Sequence, residues 1–531
     1  MDDSKALHAS IAESNETTEL RGALPLSELD KASEELQQKP LERGSTRKLF
    51  RFGPWRRWHQ YREIRKHQHD HDFWPDRDQE ENANGRLPNI EGVQVPGIWV
   101  AELYTPSTVG GLLNGISDIG WDYGRSRDDS LTKWMNDVRE GRKAGWISLG
   151  LVSPPESAHF MRERTASLPS GVTAAMPIVM SLTPSLTVFI ILFLFDDDTA
   201  ASLEAPMRME FRTRIYKDPL IRPWHIVQYI LMGTEARLGH SISTPDLIRR
   251  KAVKSHLQNL ETSCINWVHV HFPGAFSSLP GSRTPTAALL VTEKVSPMSA
   301  ESRKIMAFQG LALDRDYDTW ESDEWPGVRL VLPRDWDDEG NRLVFACRRH
   351  DAFPDSPGYQ DPTSNWTIAQ RAHDHIEGLL SRWSITCLLD KYHEALSALR
   401  DRSAHDGRYR PVRDLKELRS LARTMLYDIG ACTQEIVDFS ESDINYRYEV
   451  MEMFYVRTVQ NKKTYLLNGF KSSQNWRARQ VQRESALLLS TLSTSNDLSQ
   501  TISNIRIQRL LVLLALVSIG IALWAAFLTA K

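Results

Sequence analysis

An apolar run close to the C-terminus constrains this chain more than any other feature. Residues 510–530 read LLVLLALVSIGIALWAAFLTA, which is 21 residues without a charged side chain. As a helix this segment measures about 31 Å, which matches a bilayer hydrocarbon core of about 30 Å. The run therefore predicts one transmembrane helix that ends the chain.

The charges around this run predict its orientation. Arg506 and Arg509 precede the run and Lys531 follows it, whereas the N-terminus is polar and acidic and has no signal-peptide pattern. The positive-inside rule then places residues 1–509 on the cytoplasmic side and the C-terminus outside. We expect a single-pass protein of the cell membrane with its bulk in the cytoplasm.

A second apolar run covers residues 176–195 and reads MPIVMSLTPSLTVFIILFLF. Pro177 and Pro184 interrupt it, and three consecutive aspartates follow it. A run of this kind predicts two buried strands around a turn, at 175–182 and 186–195. A second membrane segment is the alternative.

The rest of the chain divides into regions of different character. With 41% hydrophobic and 25% charged residues, it has the composition of an ordinary globular protein. The predicted regions are a disordered arm at 1–46, a basic and aromatic then His/Asp-rich segment at 47–89, a cytoplasmic α/β region at 90–360, a helical stalk at 361–509 and the transmembrane helix at 510–530. The predicted fold class is an α+β or α/β cytoplasmic domain, with helices on one face of its sheet, followed by a long-helix stalk and one C-terminal transmembrane helix.

Within the α/β region, the stretch 245–260 has a helical pattern and 266–272 (NWVHVHF) alternates as a strand does. His269 and His271 then share one face of that strand. A packed, hydrogen-bonded pair of histidines is favoured there over a pair of metal ligands. Further strands are predicted at 287–295, 328–332 and 342–347.

Nine basic residues and one acidic residue lie between Arg43 and Lys66, interleaved with five aromatic residues. Basic and aromatic side chains together favour contact with anionic membrane lipid. The same residue types bind single-stranded nucleic acid, but the net charge of −3 makes nucleic acid the less favoured partner. Pairing within the chain with the acidic residues that follow is favoured over either partner. The candidate contact residues are Arg51, Trp55, Arg56, Arg57, Trp58, Arg62 and Arg65.

Directly after this segment the chain reads HQHDHD. In an extended chain alternate residues share a face, so that His67, His69 and His71 can converge on a divalent metal ion. A solvated polar loop is the favoured interpretation. The cofactor stays unknown, and a divalent metal ion is the one candidate that the sequence offers.

Three segments of the last third, 365–403, 412–439 and 475–508, carry apolar residues at helical spacing. In the last of them Leu498, Ile502 and Ile505 follow the 4,3 spacing of a coiled-coil seam. We therefore expect a homo-oligomer that associates through this seam.

This order of elements, an α/β domain followed by long helices and a stalk helix that continues into a membrane helix, resembles CorA-type magnesium channels. The resemblance covers residues 365–531 and rests on architecture. The chain lacks the Gly-Met-Asn triplet and the second membrane helix of that family. The resemblance therefore implies a domain that oligomerises through its stalk, but it does not imply magnesium selectivity.

Signatures of common enzyme classes are missing from the sequence: it contains no GxxxxGK[ST], GxGxxG, HExxH or GxSxG motif. The four cysteines are far apart, which fits a reducing compartment. His373 and Glu377 lie one helical turn apart and are interpreted as a surface pair. The leading functional prediction is a noncatalytic, membrane-anchored interaction or sensor protein. The alternatives are an oligomeric CorA-like ion channel or transporter and a membrane-tethered enzyme of unrecognised class.

Overall fold

The computed structural model describes residues 75–122, 130–156, 164–217, 240–278, 283–315, 319–333, 340–352, 361–405, 412–457 and 462–529. The chain divides into two compact units, one with residues 74–214 and 242–531, the other with residues 1–73 and 215–241. The first unit carries nearly all of the described structure.

The strands are β1 (Val93–Tyr104), β2 (Gly145–Ser148), β3 (Val152–Ser153), β4 (Arg164–Thr165), β5 (Val172–Thr183), β6 (Leu186–Phe195), β7 (Arg214–Lys217), β8 (His240–Ser243), β9 (Thr286–Thr292), β10 (Trp320–Ser322), β11 (Arg329–Val331), β12 (Arg342–Arg348), β13 (Met453–Arg457) and β14 (Lys462–Tyr465). The α-helices are α1 (Pro75–Gly85), α2 (Val109–Ile119), α3 (Leu131–Arg139), α4 (Asp197–Ala201), α5 (Glu204–Arg208), α6 (Pro245–His271), α7 (Ala275–Ser278), α8 (Asn365–His405), α9 (Val412–Glu441), α10 (Asp443–Arg447) and α11 (Leu466–Thr529). Short 3₁₀ helices cover Ser302–Lys304, Met306–Leu311 and Arg349–Asp351.

Twelve strands form one mixed sheet in the order β14-β13-β10-β11-β12-β9-β1-β6-β5-β3-β4, with β2 added beside β5. Most neighbours are antiparallel, but β9 and β12 run parallel, as do β3 and β4. The strands β7 and β8 form a separate two-stranded sheet.

Both faces of the twelve-stranded sheet are covered. Along β1, Trp99 and Leu103 belong to one hydrophobic core, whereas Val100 and Tyr104 belong to the other. The first core also contains residues of α8, α9 and α11, and we call this side of the sheet the α8 face. The second contains residues of α2, α3 and α6, and we call it the α6 face. The helices thus occupy two faces, not the single face that the order of elements predicted.

The two strands predicted within residues 175–195 are confirmed. They are β5 and β6, which pair antiparallel across a turn at 184–185. All ten residues of β6 are buried, because this strand lies inside a sheet that is covered on both faces. That burial explains why its sequence is continuously apolar and does not alternate.

The strand predicted at 266–272 is wrong, because α6 continues as a 27-residue helix to His271. Its buried residues Val253, Leu257, Cys264 and Val268 recur at helical spacing and all belong to the core of the α6 face. The local alternation in NWVHVHF imitates a strand, but the longer helical period prevails.

The helices predicted at 365–403, 412–439 and 475–508 are present as α8, α9 and part of α11, but they do not form a separate stalk. Residues such as Ile368, Ala372 and Ile376 bury one side of α8 in the same core as β1 and β6. The strands β13 and β14, which follow α10, extend the edge of the same sheet through β10. Because these helices cover apolar sheet surface, they are a layer of the folded unit.

A C-terminal transmembrane helix is not supported. Among the described residues, no helix combines the length and the apolar character that a membrane crossing requires. Residues 510–529 of the uncharged run do not form an element of their own, since they belong to the end of α11, a 64-residue helix that starts at Leu466 within the packed unit. The single-pass topology and the cell-membrane location that rested on this run are corrected accordingly.

A candidate ligand-binding cavity on the α6 face

Strand pairing places two polar side chains side by side at one end of the sheet. Arg342, the first residue of β12, lies opposite Thr286, the first residue of β9. Thr286 in turn lies opposite Val100 of β1, whose side chain belongs to the core of the α6 face. Because side chains at one level of neighbouring strands share a face, Thr286 and Arg342 stand beneath α6.

The second half of α6 supplies the opposite wall. Glu261, Ile265 and His269 recur every four residues, which places them along one stripe of the helix. Between this stripe and the sheet lies a cavity of about 580 Å³, a size typical of small-molecule sites. Its lining residues are Gln258, Glu261, Thr262, Ile265, Asn266, His269, Arg283, Thr284, Thr286, Gly340, Asn341 and Arg342.

A buried ion pair crosses the cavity wall from the helix to the sheet. Arg342 Nε lies 3.2 Å from Glu261 Oε1, and Thr286 Oγ1 donates a 2.9 Å hydrogen bond to the same carboxylate oxygen. Glu261 is 6% exposed and Arg342 is 5% exposed. Burial raises the pKa of Glu261, and the neighbouring Arg342 and Thr286 oppose that shift. Both partners of the pair therefore lie largely out of water while lining a cavity.

His269 contacts two polar groups through a single ring nitrogen. Its Nε2 shares a 2.8 Å hydrogen bond with Thr284 Oγ1 and lies 3.5 Å from Glu102 Oε2. A hydroxyl–histidine–carboxylate relay needs the hydroxyl on one ring nitrogen and the carboxylate on the other. Burial also lowers the pKa of His269. This arrangement suits a neutral hydrogen-bonding group better than a proton relay.

Behind His269, Glu102 links the sheet to the short helix α7. The backbone N–H groups of Leu103 and Phe276 donate to Oε1, and that of Ser277 donates to Oε2. Burial outweighs these hydrogen bonds and raises the pKa of Glu102 to about 8. Gly274 permits the close approach, because a Cβ there would lie 2.5 Å from Glu102 Cγ.

The turn that leads into β12 closes one end of the cavity. Gly340 has φ +72°, a left-handed conformation that favours glycine. The carbonyl of Asn341 accepts hydrogen bonds from the backbone N–H of Thr286 (3.3 Å) and from Trp383 Nε1 (2.9 Å). Asn341 Nδ2 donates to the carbonyl of Arg283 at 2.6 Å. The turn thereby fixes the backbone of Arg283 beside the cavity.

Several predicted site residues cannot be compared with this cavity. The candidate lipid or nucleic-acid contacts between Arg51 and Arg65, and the candidate metal ligands His67, His69 and His71, lie outside the described residues. The described residues include no group of three or more side chains that could hold a metal ion. Of the two histidines discussed at 266–272, His269 lines the cavity and His271 packs on Trp267 with ring centroids 4.7 Å apart.

The predicted oligomer seam lies on α11. The backbone at Leu498, Ile502 and Ile505 is helical, and the side chains there lie outside the described residues. Further along the same helix, a stripe at spacing i, i+3, i+4, i+7 is between 54% and 63% exposed, and its residues are Ile507, Leu510, Leu511 and Leu514. Such spacing is typical of helix–helix contact. The homo-oligomer stays a prediction.

The pair His373 and Glu377, interpreted as a surface pair, is buried on the α8 face. Trp99 Nε1 donates a 3.0 Å hydrogen bond to His373 Nδ1, and His373 Nε2 lies 3.6 Å from Glu377 Oε2. Burial lowers the pKa of His373 to about 4 and raises that of Glu377 to about 8. The helix α8 packs on the sheet at this point, which removes both side chains from solvent.

Sequence reasoning missed Glu102, Glu261 and Arg342. Glu102 stands inside the apolar strand WVAELY, which is an unusual place for a charge and a usable signal. Glu261 and His269 share a helix stripe that becomes visible only once α6 is extended to His271.

No protein-family model, curated protein or solved structure matches this chain. The resemblance to CorA-type channels stays a prediction.

Proposed function

We propose that this protein is a noncatalytic binding or sensor protein that holds a small molecule between α6 and the sheet. The observation that carries the proposal is the cavity itself, whose polar lining converges from α6, β9 and β12. Apart from Ile265 and Gly340, the lining residues have polar or charged side chains, which can supply hydrogen bonds to a polar ligand.

The chemistry of the lining favours binding over catalysis. Glu261 is engaged by Arg342 and Thr286, and the same ring nitrogen of His269 faces both of its polar neighbours, Thr284 and Glu102. Nucleophilic cysteine chemistry is disfavoured as well, because burial raises the pKa of Cys264 and Cys347, the thiols on the neighbouring elements α6 and β12. These groups can orient a ligand, but they are not arranged to activate a nucleophile.

A thermal-shift screen of small metabolites against the full chain tests this function, with mass spectrometry of each ligand after incubation. We expect at least one ligand to raise the melting temperature and to be recovered unchanged. Asn266→Trp places a large ring at a lining position of α6 and should abolish the shift.

The matched control is Ser263→Trp, which adds the same ring at an exposed position of α6 outside the lining. It should leave the shift intact. Shifts that survive Asn266→Trp would place binding elsewhere, and conversion of a ligand by the wild type alone would replace the binding function with an enzymatic one.

A further inference from the structure

The guanidinium of Arg342 is buried without the hydrogen bonds that such a group normally has. It lines the cavity and is ion-paired with Glu261 through Nε, but Nε itself has no hydrogen bond. Within the described residues, the group donates no hydrogen bond at all. Of its three nitrogens, only Nε is both buried and without a hydrogen bond, so the two terminal amino groups are open to an acceptor from outside the chain.

The shape of the guanidinium specifies that acceptor. Its N–H donors lie in one plane as a rigid fork, which matches the paired oxygens of a carboxylate or a phosphate. With Nε beside Glu261, the two terminal amino groups remain for a partner in the cavity.

The lining carries a net positive charge, which agrees with an anionic ligand. Two arginines, Arg283 and Arg342, stand against one carboxylate, Glu261. Arg283 is exposed and lies at the turn closed by Gly340 and Asn341, where it can reach the outer part of a ligand held by Arg342. Asn266, His269 and Thr284 add uncharged hydrogen-bonding groups around the same space.

We infer that the cavity binds a small molecule through a carboxylate or phosphate group held by Arg342, with Arg283 as the outer cation. This inference rests on the proposed binding function and adds the chemical class of the ligand.

Isothermal titration of the full chain with succinate and with glycerol 3-phosphate tests the inference. The neutral analogues succinamide and glycerol serve as comparisons, and sodium chloride holds the ionic strength constant. We expect both anions, or one of them, to bind at concentrations up to about 20 mM, and the analogues to bind at least tenfold more weakly, since charge-assisted hydrogen bonds to arginine are lost.

Two variants assign binding to the arginines. Arg283→Gln changes an exposed side chain and should weaken anion binding about tenfold. The double variant Arg342→Met/Glu261→Met removes both charges of the pair, so that folding is preserved, and should abolish anion binding. Arg77→Gln, an exposed arginine on α1, is the matched control and should bind as the wild type does.

The outcomes separate the ligand class from the binding function. Neutral analogues that bind as tightly as the anions, or anions that bind equally to the arginine variants, overturn the anion class. If Asn266→Trp still abolishes binding in that case, the cavity remains a binding site for another class. Failure of both anions to bind the wild type overturns the anion inference, and the metabolite screen then decides the binding function independently.

Discussion

Two buried arginines, one on each face of the sheet, differ in how their charges and N–H groups are compensated. On the α8 face, Arg382 is 3% exposed and donates to three backbone carbonyls, to a hydroxyl and to a thioether sulfur. On the α6 face, Arg342 is 5% exposed and is ion-paired with Glu261 without a hydrogen bond. The first arrangement uses a charge to tie α8 to the chain around α10, and the second leaves donors at the wall of a cavity.

This difference shows how one sheet can serve two purposes. The α8 face is closed by long helices whose buried polar groups bond one another, as in the chain Tyr446–Gln474–Arg382 carbonyl. The α6 face is covered by one long helix and shorter elements, and polar groups of α6, β9 and β12 line a cavity there. The proposed ligand site thus lies on the α6 face.

Loss of the Arg382 side chain should have the largest effect. Arg382→Met leaves the carbonyls of Asn445, Tyr446 and Tyr448 without their buried donor, and we expect a loss of roughly 3–5 kcal/mol in the free energy of unfolding. Urea denaturation measures it. Arg400→Met, at an exposed position of the same helix, should change the value by less than about 0.5 kcal/mol. An equal loss of unfolding free energy in both variants would show that Arg382 has no special structural role.

The pH dependence of stability should reveal Glu377 on the α8 face. Its pKa is raised from 4.5 to about 8, so that the folded state binds more protons than the unfolded state within this range. Stability should therefore fall as pH rises through this range, and Glu377 should contribute up to about 1.4 kcal/mol per pH unit to that fall. Burial lowers the pKa of His373, which has the opposite effect below pH 6.5.

Glu377→Gln removes this contribution, and its stability should decline less than that of the wild type between pH 4.5 and about 8. The measurement is a series of denaturation curves across that range. Glu394→Gln, at an exposed position of α8, should follow the wild type. Parallel curves for Glu377→Gln and the wild type would show that Glu377 titrates normally.

A smaller effect is expected where the two faces meet. Trp383 of α8 donates to the carbonyl of Asn341 in the turn that closes the cavity. Trp383→Phe deletes the donor and replaces the indole by the smaller phenyl ring, and should cost at least about 1 kcal/mol in stability. Calorimetry would detect this as a lowered melting temperature. If ligand affinity falls while stability is unchanged, the turn is coupled to binding more than to folding.

The parts of this fold that could be predicted from the sequence are those whose signals lie within a short stretch of the chain. The strands β5 and β6 were predictable, because Pro184 marks the turn between them and three aspartates follow β6, whereas Pro177 lies inside β5. The strand assigned at 266–272 failed because two periods compete there, and only packing on the sheet selects the helix. Glu261 and Arg342 meet through the parallel pairing of β9 with β12 and the crossing of α6 above them. Neither the strand pairing nor the helix crossing leaves a local pattern in the sequence.

The stability of the double variant Arg342→Met/Glu261→Met tests the contrast between the two faces most directly. Replacing a buried ion pair by apolar side chains of similar volume is often neutral or stabilising. Here the pair takes part in one further hydrogen bond, from Thr286 Oγ1 to Glu261, which is worth about 1 kcal/mol. We therefore predict that the free energy of unfolding, from urea denaturation without ligand, stays within about 1 kcal/mol of the wild type or rises. A loss as large as that of Arg382→Met would show that Arg342 is a structural arginine like its counterpart, and would contradict the account of the α6 face as a binding face.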